Sequence, residues 1–61
     1  MRVEVYLKDR IGPVVHPTAH SMFTTGKTKK KFCVTKMIEN DVRLVFEYPA
    51  DKVERVVRLF D

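Results

Sequence analysis

Apolar and polar residues alternate at the start of the chain, where Val3, Val5 and Leu7 are interleaved with Arg2, Glu4, Tyr6 and Lys8. A period of two is that of a half-buried strand, so residues 2 to 8 are predicted to be extended. Gly12-Pro13 punctuates the chain and ends this element, leaving Val14 and Val15 to add a brief extended piece. From Pro13 to Gly26 there is no Lys, Arg, Asp or Glu, and both histidines lie in this stretch. A structureless loop of that length is unusual in a small domain. Ser21 to Thr25 is therefore expected to be extended and to turn at Gly26-Lys27, with glycine at the first central position of a type II′ hairpin.

Phe32 to Ile38 and Val42 to Tyr48 read as two further strands around Glu39-Asn40-Asp41. Their register decides the faces of the sheet, because a slip of one residue turns every side chain over. A two-residue turn pairs Met37 with Leu44 and leaves apolar residues on both faces. A three-residue turn pairs Ile38 with Val42 and Val34 with Phe46. The second collects Phe32, Val34, Ile38, Val42, Leu44, Phe46 and Tyr48 on one face, with Lys36 the only misfit, and is the expected arrangement. By the same parity Phe23 is expected in the core.

After Pro49 the period changes. Val53, Val56, Val57 and Phe60 fall at i, i+3, i+4 and i+7, the apolar stripe of an amphipathic helix. Asp51 at the N-cap, Glu54 three residues on and the Glu54 to Arg58 spacing reinforce it. The pattern predicts an α+β fold: a small antiparallel, meander-like sheet of three to four strands, with one C-terminal α-helix over about 51 to 60 packed on one face.

Sixty-one residues make one domain, 1–61, and at this size only about 60% of the unfolded chain's surface can be hidden. Cys33 is alone and cannot form an intramolecular disulfide, so a second copy of the chain is the expected support for a small core. No apolar run reaches the roughly 20 residues that span a bilayer, and no leader pattern follows Met1, so a cytoplasmic location without membrane contact is expected.

Charge is unevenly placed. The net charge is +4 at pH 7. Residues 1 to 36 carry eight Lys or Arg against Glu4 and Asp9, a net of +6, whereas residues 37 to 61 carry four against six acids, a net of −2.

Three constellations invite chemical readings. Gly26-Lys27-Thr28 resembles the end of a phosphate-binding loop, but the glycine required five residues before Gly26 is Ser21, so that loop is absent. His16, His20 and Cys33 offer three nitrogen or sulfur ligands, yet a fourth is missing, and Pro17 opposes the helix that would align the histidines. They read as loop histidines and a packing thiol. No metal or cofactor is expected, nor is Cys33 expected to be a catalytic thiol.

The strongest local feature is Lys27, Lys29, Lys30 and Lys31. As surface chemistry, such a run keeps a sheet edge soluble and blocks strand addition. As a binding element, it makes a positive potential that attracts phosphate backbones. In the predicted sheet, Lys29, Lys31, Arg43, Arg2, Tyr6 and Lys8 share the face opposite the helix, with Met22 and Met37 nearby. Cations for phosphates and a flat ring for a base are what single-stranded nucleic-acid binders combine. The sequence thus points to a non-enzymatic basic protein contacting nucleic acid through Lys27, Lys29, Lys30 and Lys31, helped by Arg2, Lys8 and Arg43, with a base on Tyr6. The other reading is a protein-interaction module, either a homodimer or a regulator steered to an acidic partner, using the open sheet face or a strand edge. No paired carboxylates and no Ser, His and Asp arrangement suggest an enzyme.

Overall fold

A computed structural model describes residues 1–27 and 30–60. Its strands are β1 (Arg2–Leu7), β2 (Val14–His16), β3 (Ser21–Thr25), β4 (Lys31–Glu39), β5 (Val42–Pro49) and β6 (Val53–Leu59), with a short 3-10 turn at Ala50–Lys52. They form two three-stranded sheets, ordered β2-β1-β6 and β3-β4-β5, with every pairing antiparallel.

The sheets face one another. Val3 and Val5 of β1, Val34 of β4 and Ala19 form a single buried cluster, against which Leu7, Met22, Phe32, Tyr48, Val53 and Val56 are partly packed. Side chains alternate along a strand, so the remaining residues of each sheet point outward, in opposite directions for the two sheets. The first sheet presents Arg2, Glu4, Tyr6, Arg55 and Val57 to the outside, as their register requires. The second presents Phe23, Lys31, Cys33, Thr35, Arg43, Val45 and Glu47.

The expected α+β architecture is therefore corrected to all-β, and the C-terminal helix is replaced by β6. The reason lies in a bulge. Leu7 pairs with Val53, Tyr6 with Arg55 and Val5 with Val56, so three residues of β6 span what two span on β1. The inward-facing valines are thus separated by three positions instead of two, which imitates one turn of a helix. Three valines among these residues favour the pleated state, where a branched Cβ packs well. Asp51 caps nothing with its side chain; it lies in the 3-10 turn that leads from β5 into β6.

The meander is corrected as well. Strand one joins β2 and β6 instead of the lysine-bearing strands, and the core lies between two sheets. The brief piece at Val14 is a true strand pairing with Val3 to Val5, and Ser21–Thr25 is extended as expected. In the β4–β5 hairpin the expected Val34–Phe46 pairing is present, but Ile38 is not opposite Val42: Glu39 is, and Ile38 is the extra residue of a bulge. Asp41, at φ 64, takes the left-handed position in the turn. Phe23 is opposite Cys33 on the outer face and 45% exposed, outside the core. Met22, expected near the open face, packs inward. The β3–β4 connection runs from Gly26 to Lys30, because Thr25 pairs with Lys31; it is longer than the expected two-residue turn.

Candidate functional site

The ends of five strands meet at one end of the molecule. The Lys8 amide donates to the Lys52 carbonyl at 2.9 Å, closing β1 on β6, and the Ala50 amide donates to the Lys30 carbonyl at 2.7 Å, closing β4 on β5. Lys31 pairs with Thr25 on one side and Pro49 on the other. The Ala50–Lys52 turn links the two sheets here. Topology thereby gathers Lys8, Lys27, Lys30, Lys31 and Lys52 at this end, all exposed, and the β1–β2 loop adds Arg10. Asp9 and Asp51 are the nearby acids in sequence, and Lys30 and Asp51 border a shallow cleft. Lys31 Nζ lies 3.3 Å from a Glu47 carboxylate oxygen, with both side chains more than half exposed, so the pair adds little stability and the Glu47 charge offsets much of that of Lys31.

Of the residues expected to act together, Lys8, Lys27, Lys30 and Lys31 are brought to this end. Lys29 lies outside the described residues. Arg2 and Arg43 are placed elsewhere, and Tyr6, although only two residues from Lys8, lies on the outer face of the first sheet. Arg2 is at the opposite end of β1, on the outer face of the first sheet, where its guanidinium bonds the Glu4 carboxylate at 3.1 and 3.3 Å. Tyr6 shares that face, and the Arg55 guanidinium sits 4.1 Å from its ring centroid, covering one side of the ring. Arg43 lies on the outer face of the second sheet, beside Met37. The single cation-and-ring face expected of one continuous sheet is therefore divided between two surfaces that look away from each other. Lys52 and Arg10 join the basic end without having been expected there. Lys52 was masked by the helical reading of its surroundings, and no signal in the sequence fixed which way the loop after Leu7 would carry Arg10.

The second feature is a cleft of about 240 Å³ where β2 and the following loop meet the second sheet, lined by Val14, His16, Pro17, Val34, Phe46 and Tyr48 among others. His16 is buried, with Nε2 hydrogen-bonded to the Tyr48 hydroxyl at 2.6 Å and its ring 4.9 Å from that of Phe46. Burial lowers the His16 pKa from the ordinary histidine value. Burial also raises that of Tyr48, with the charge of Arg10 opposing the rise. Both groups are consequently held neutral, and a neutral imidazole beside a phenol is a satisfied polar pair in an apolar wall.

Cys33 lies on the other side of β4 from this cleft. His16 faces inward and Cys33 outward, so the sheet separates two of the three ligands that the sequence offered, while His20 is exposed. The Cys33 thiol is only 2% exposed, and burial, then the Glu47 carboxylate, raise its pKa, with Lys31 opposing them. A thiol so placed stays protonated near neutrality and is a poor nucleophile.

No helix among the described residues is long and apolar enough to cross a membrane. No family model, curated protein or solved structure matches this chain.

Proposed function

We propose that this chain is a non-enzymatic basic protein that binds nucleic-acid phosphates in the cytoplasm, using the end of the molecule that carries Lys8, Lys27, Lys30, Lys31 and Lys52. The observation that carries the reading is the convergence of these lysines from three separate stretches of sequence onto one end, through the Lys8–Lys52 and Lys30–Ala50 backbone bonds. Ammonium groups held on rigid strand ends form a positive surface that a phosphate backbone can follow. Contacts of this kind position a nucleic acid without reading its sequence. With Tyr6 on the outer face of the first sheet and covered on one side by Arg55, base stacking has no part in the proposal, and preference for any sequence should be weak.

The test is a titration of fluorescent single-stranded and duplex oligonucleotides at several salt concentrations. The logarithm of the binding constant should fall by about 0.9 per log unit of salt for each duplex phosphate neutralised, and about 0.7 for single strands. Binding that ignores salt, or survives replacement of all five lysines by alanine, would refute the proposal.

A further inference from the structure

We propose that β5 is the seam of a symmetric homodimer, in which two copies pair their β5 strands antiparallel about Val45 and join two three-stranded sheets into one of six. β5 is an edge strand of the second sheet. An edge offers a row of unpaired amides and carbonyls to any extended chain, and proteins commonly blunt such edges with charge, bulges or proline. β5 is poorly blunted: Val42, Leu44, Val45 and Phe46 are 42%, 45%, 52% and 39% exposed. Its bulge lies on the partner strand, at Ile38, leaving β5 itself regular, and Pro49 is only its last residue.

The other edges differ. β6 carries a bulge between its pairings to Tyr6 and Leu7, together with Glu54, Arg55 and Arg58. β3 ends in Thr24, Thr25 and the lysine-bearing connection, and β2 is three residues long.

What selects a second copy as the occupant is the order of charges on β5. Antiparallel pairing about Val45 sets Arg43 opposite Glu47 of the second copy, and by symmetry does so twice. The same register sets Leu44 opposite Phe46 and Val42 opposite Tyr48. Directly opposed residues in an antiparallel pair lie on the same face. The two ion pairs therefore form on the outer face, and the Leu44 and Phe46 side chains, both partly exposed although Phe46 also meets His16 of the first sheet, come together on the inner face. Shifting the centre to Leu44 brings Glu47 against Asp41, and shifting it to Phe46 sets Glu47 against Val45; either loses both ion pairs. Glu47 also approaches Lys31 at 3.3 Å, and a carboxylate can accept from both cations.

The experiment uses charge reversal and mixing, read by sedimentation velocity at a concentration where the parent chain is dimeric. R43E alone opposes carboxylate to carboxylate at both pairs, and E47R alone opposes guanidinium to guanidinium at both. Each should weaken self-association by roughly tenfold or more. In an equimolar mixture, the R43E copy offers carboxylates at 43 and 47 and the E47R copy guanidinium groups at 43 and 47, so the Val45 register sets opposite charges against each other at both pairs of the heterodimer. The mixture should therefore recover the dimer, a gain that a merely misfolded variant could not give. V45K alone, placing two ammonium groups on the axis, should be monomeric. A parent chain that stays monomeric at high concentration overturns the proposal and leaves the edge to a strand of another protein. Single variants that dimerise like the parent, or a mixture that stays monomeric, overturn it equally.

Discussion

His16 and Tyr48 tie the two sheets together: the imidazole Nε2 on β2 and the phenol hydroxyl on β5 are 2.6 Å apart, across the interior of the molecule. Each belongs to a different sheet, so this bond, with the packing of Val3 and Val5 against Val34, sets how one layer sits on the other. The geometry makes the pair sensitive to proton uptake.

Stability should fall on mild acidification. Because burial lowers the His16 pKa, the unfolded chain binds a proton below about pH 6.5 that the folded chain still excludes. The unfolded state then holds more protons, and stability rises with pH across the window between the lowered value and the ordinary one. It should be flat above that window as far as His16 is concerned. Urea melts at about pH 7.5 and about pH 5 test this, with H16Q as the comparison. A parent and variant with equal loss between the two pH values would remove His16 as the cause.

Removing the phenol hydroxyl with Tyr48→Phe leaves His16 Nε2 without its protein partner. The expected cost is about 1 kcal/mol, up to roughly 3 if no water replaces the hydroxyl. Chemical denaturation of Y48F, H16Q and the double variant measures the coupling, and additive losses would mean that the bond contributes nothing of its own.

Val34 sits at the centre of the interior, fully buried and clustered with Val3, Val5 and Ala19. Val34→Ala should cost about 2 kcal/mol from lost burial and the space left behind. Ile11→Ala, at a fully exposed position, should change stability by less than about 0.5 kcal/mol. Equal effects from the two would contradict the position of the core.

Gly26 takes φ +95 as the chain leaves β3, a region that side chains with a Cβ avoid. Space is not the obstacle, since the nearest atom to an added Cβ is the Lys30 amide nitrogen at 3.8 Å. Gly26→Ala should therefore destabilise by about 1 kcal/mol through the backbone alone. A thermal melt unchanged by this substitution would show that the connection relaxes at no cost.

The proposed binding end and the two outer faces can be told apart by where a cation is removed. Lys30→Ala and Lys52→Ala should each lower the salt slope of oligonucleotide binding by about 0.7 to 0.9. Arg2→Ala and Arg43→Ala, on opposite outer faces, should leave that slope unchanged. An Arg43 effect as large as that of Lys52 would move binding from the end of the molecule to the sheet.

The alternation of Val3, Val5 and Leu7 determined β1 from sequence alone, since period two is a local property of the chain. The apolar residues around Glu39–Asp41 likewise determined the Val34–Phe46 register, because only one pairing puts Phe32, Val34, Phe46 and Tyr48 on a common face. What only the tertiary structure decided was the state of residues 53 to 59 and the company kept by β1. Val53 and Val56 are three apart both on a helix and on a bulged strand, and the choice between them depends on whether a distant edge is free to pair. β1 supplied that edge. Once β6 took it, Arg2 and Tyr6 were carried to one outer surface and Lys31 and Arg43 to the other, while the strand ends drew Lys8, Lys30 and Lys52 together. Strand pairing joins residues far apart in sequence through backbone groups that every residue possesses, so side-chain pattern can announce a strand without naming its neighbour.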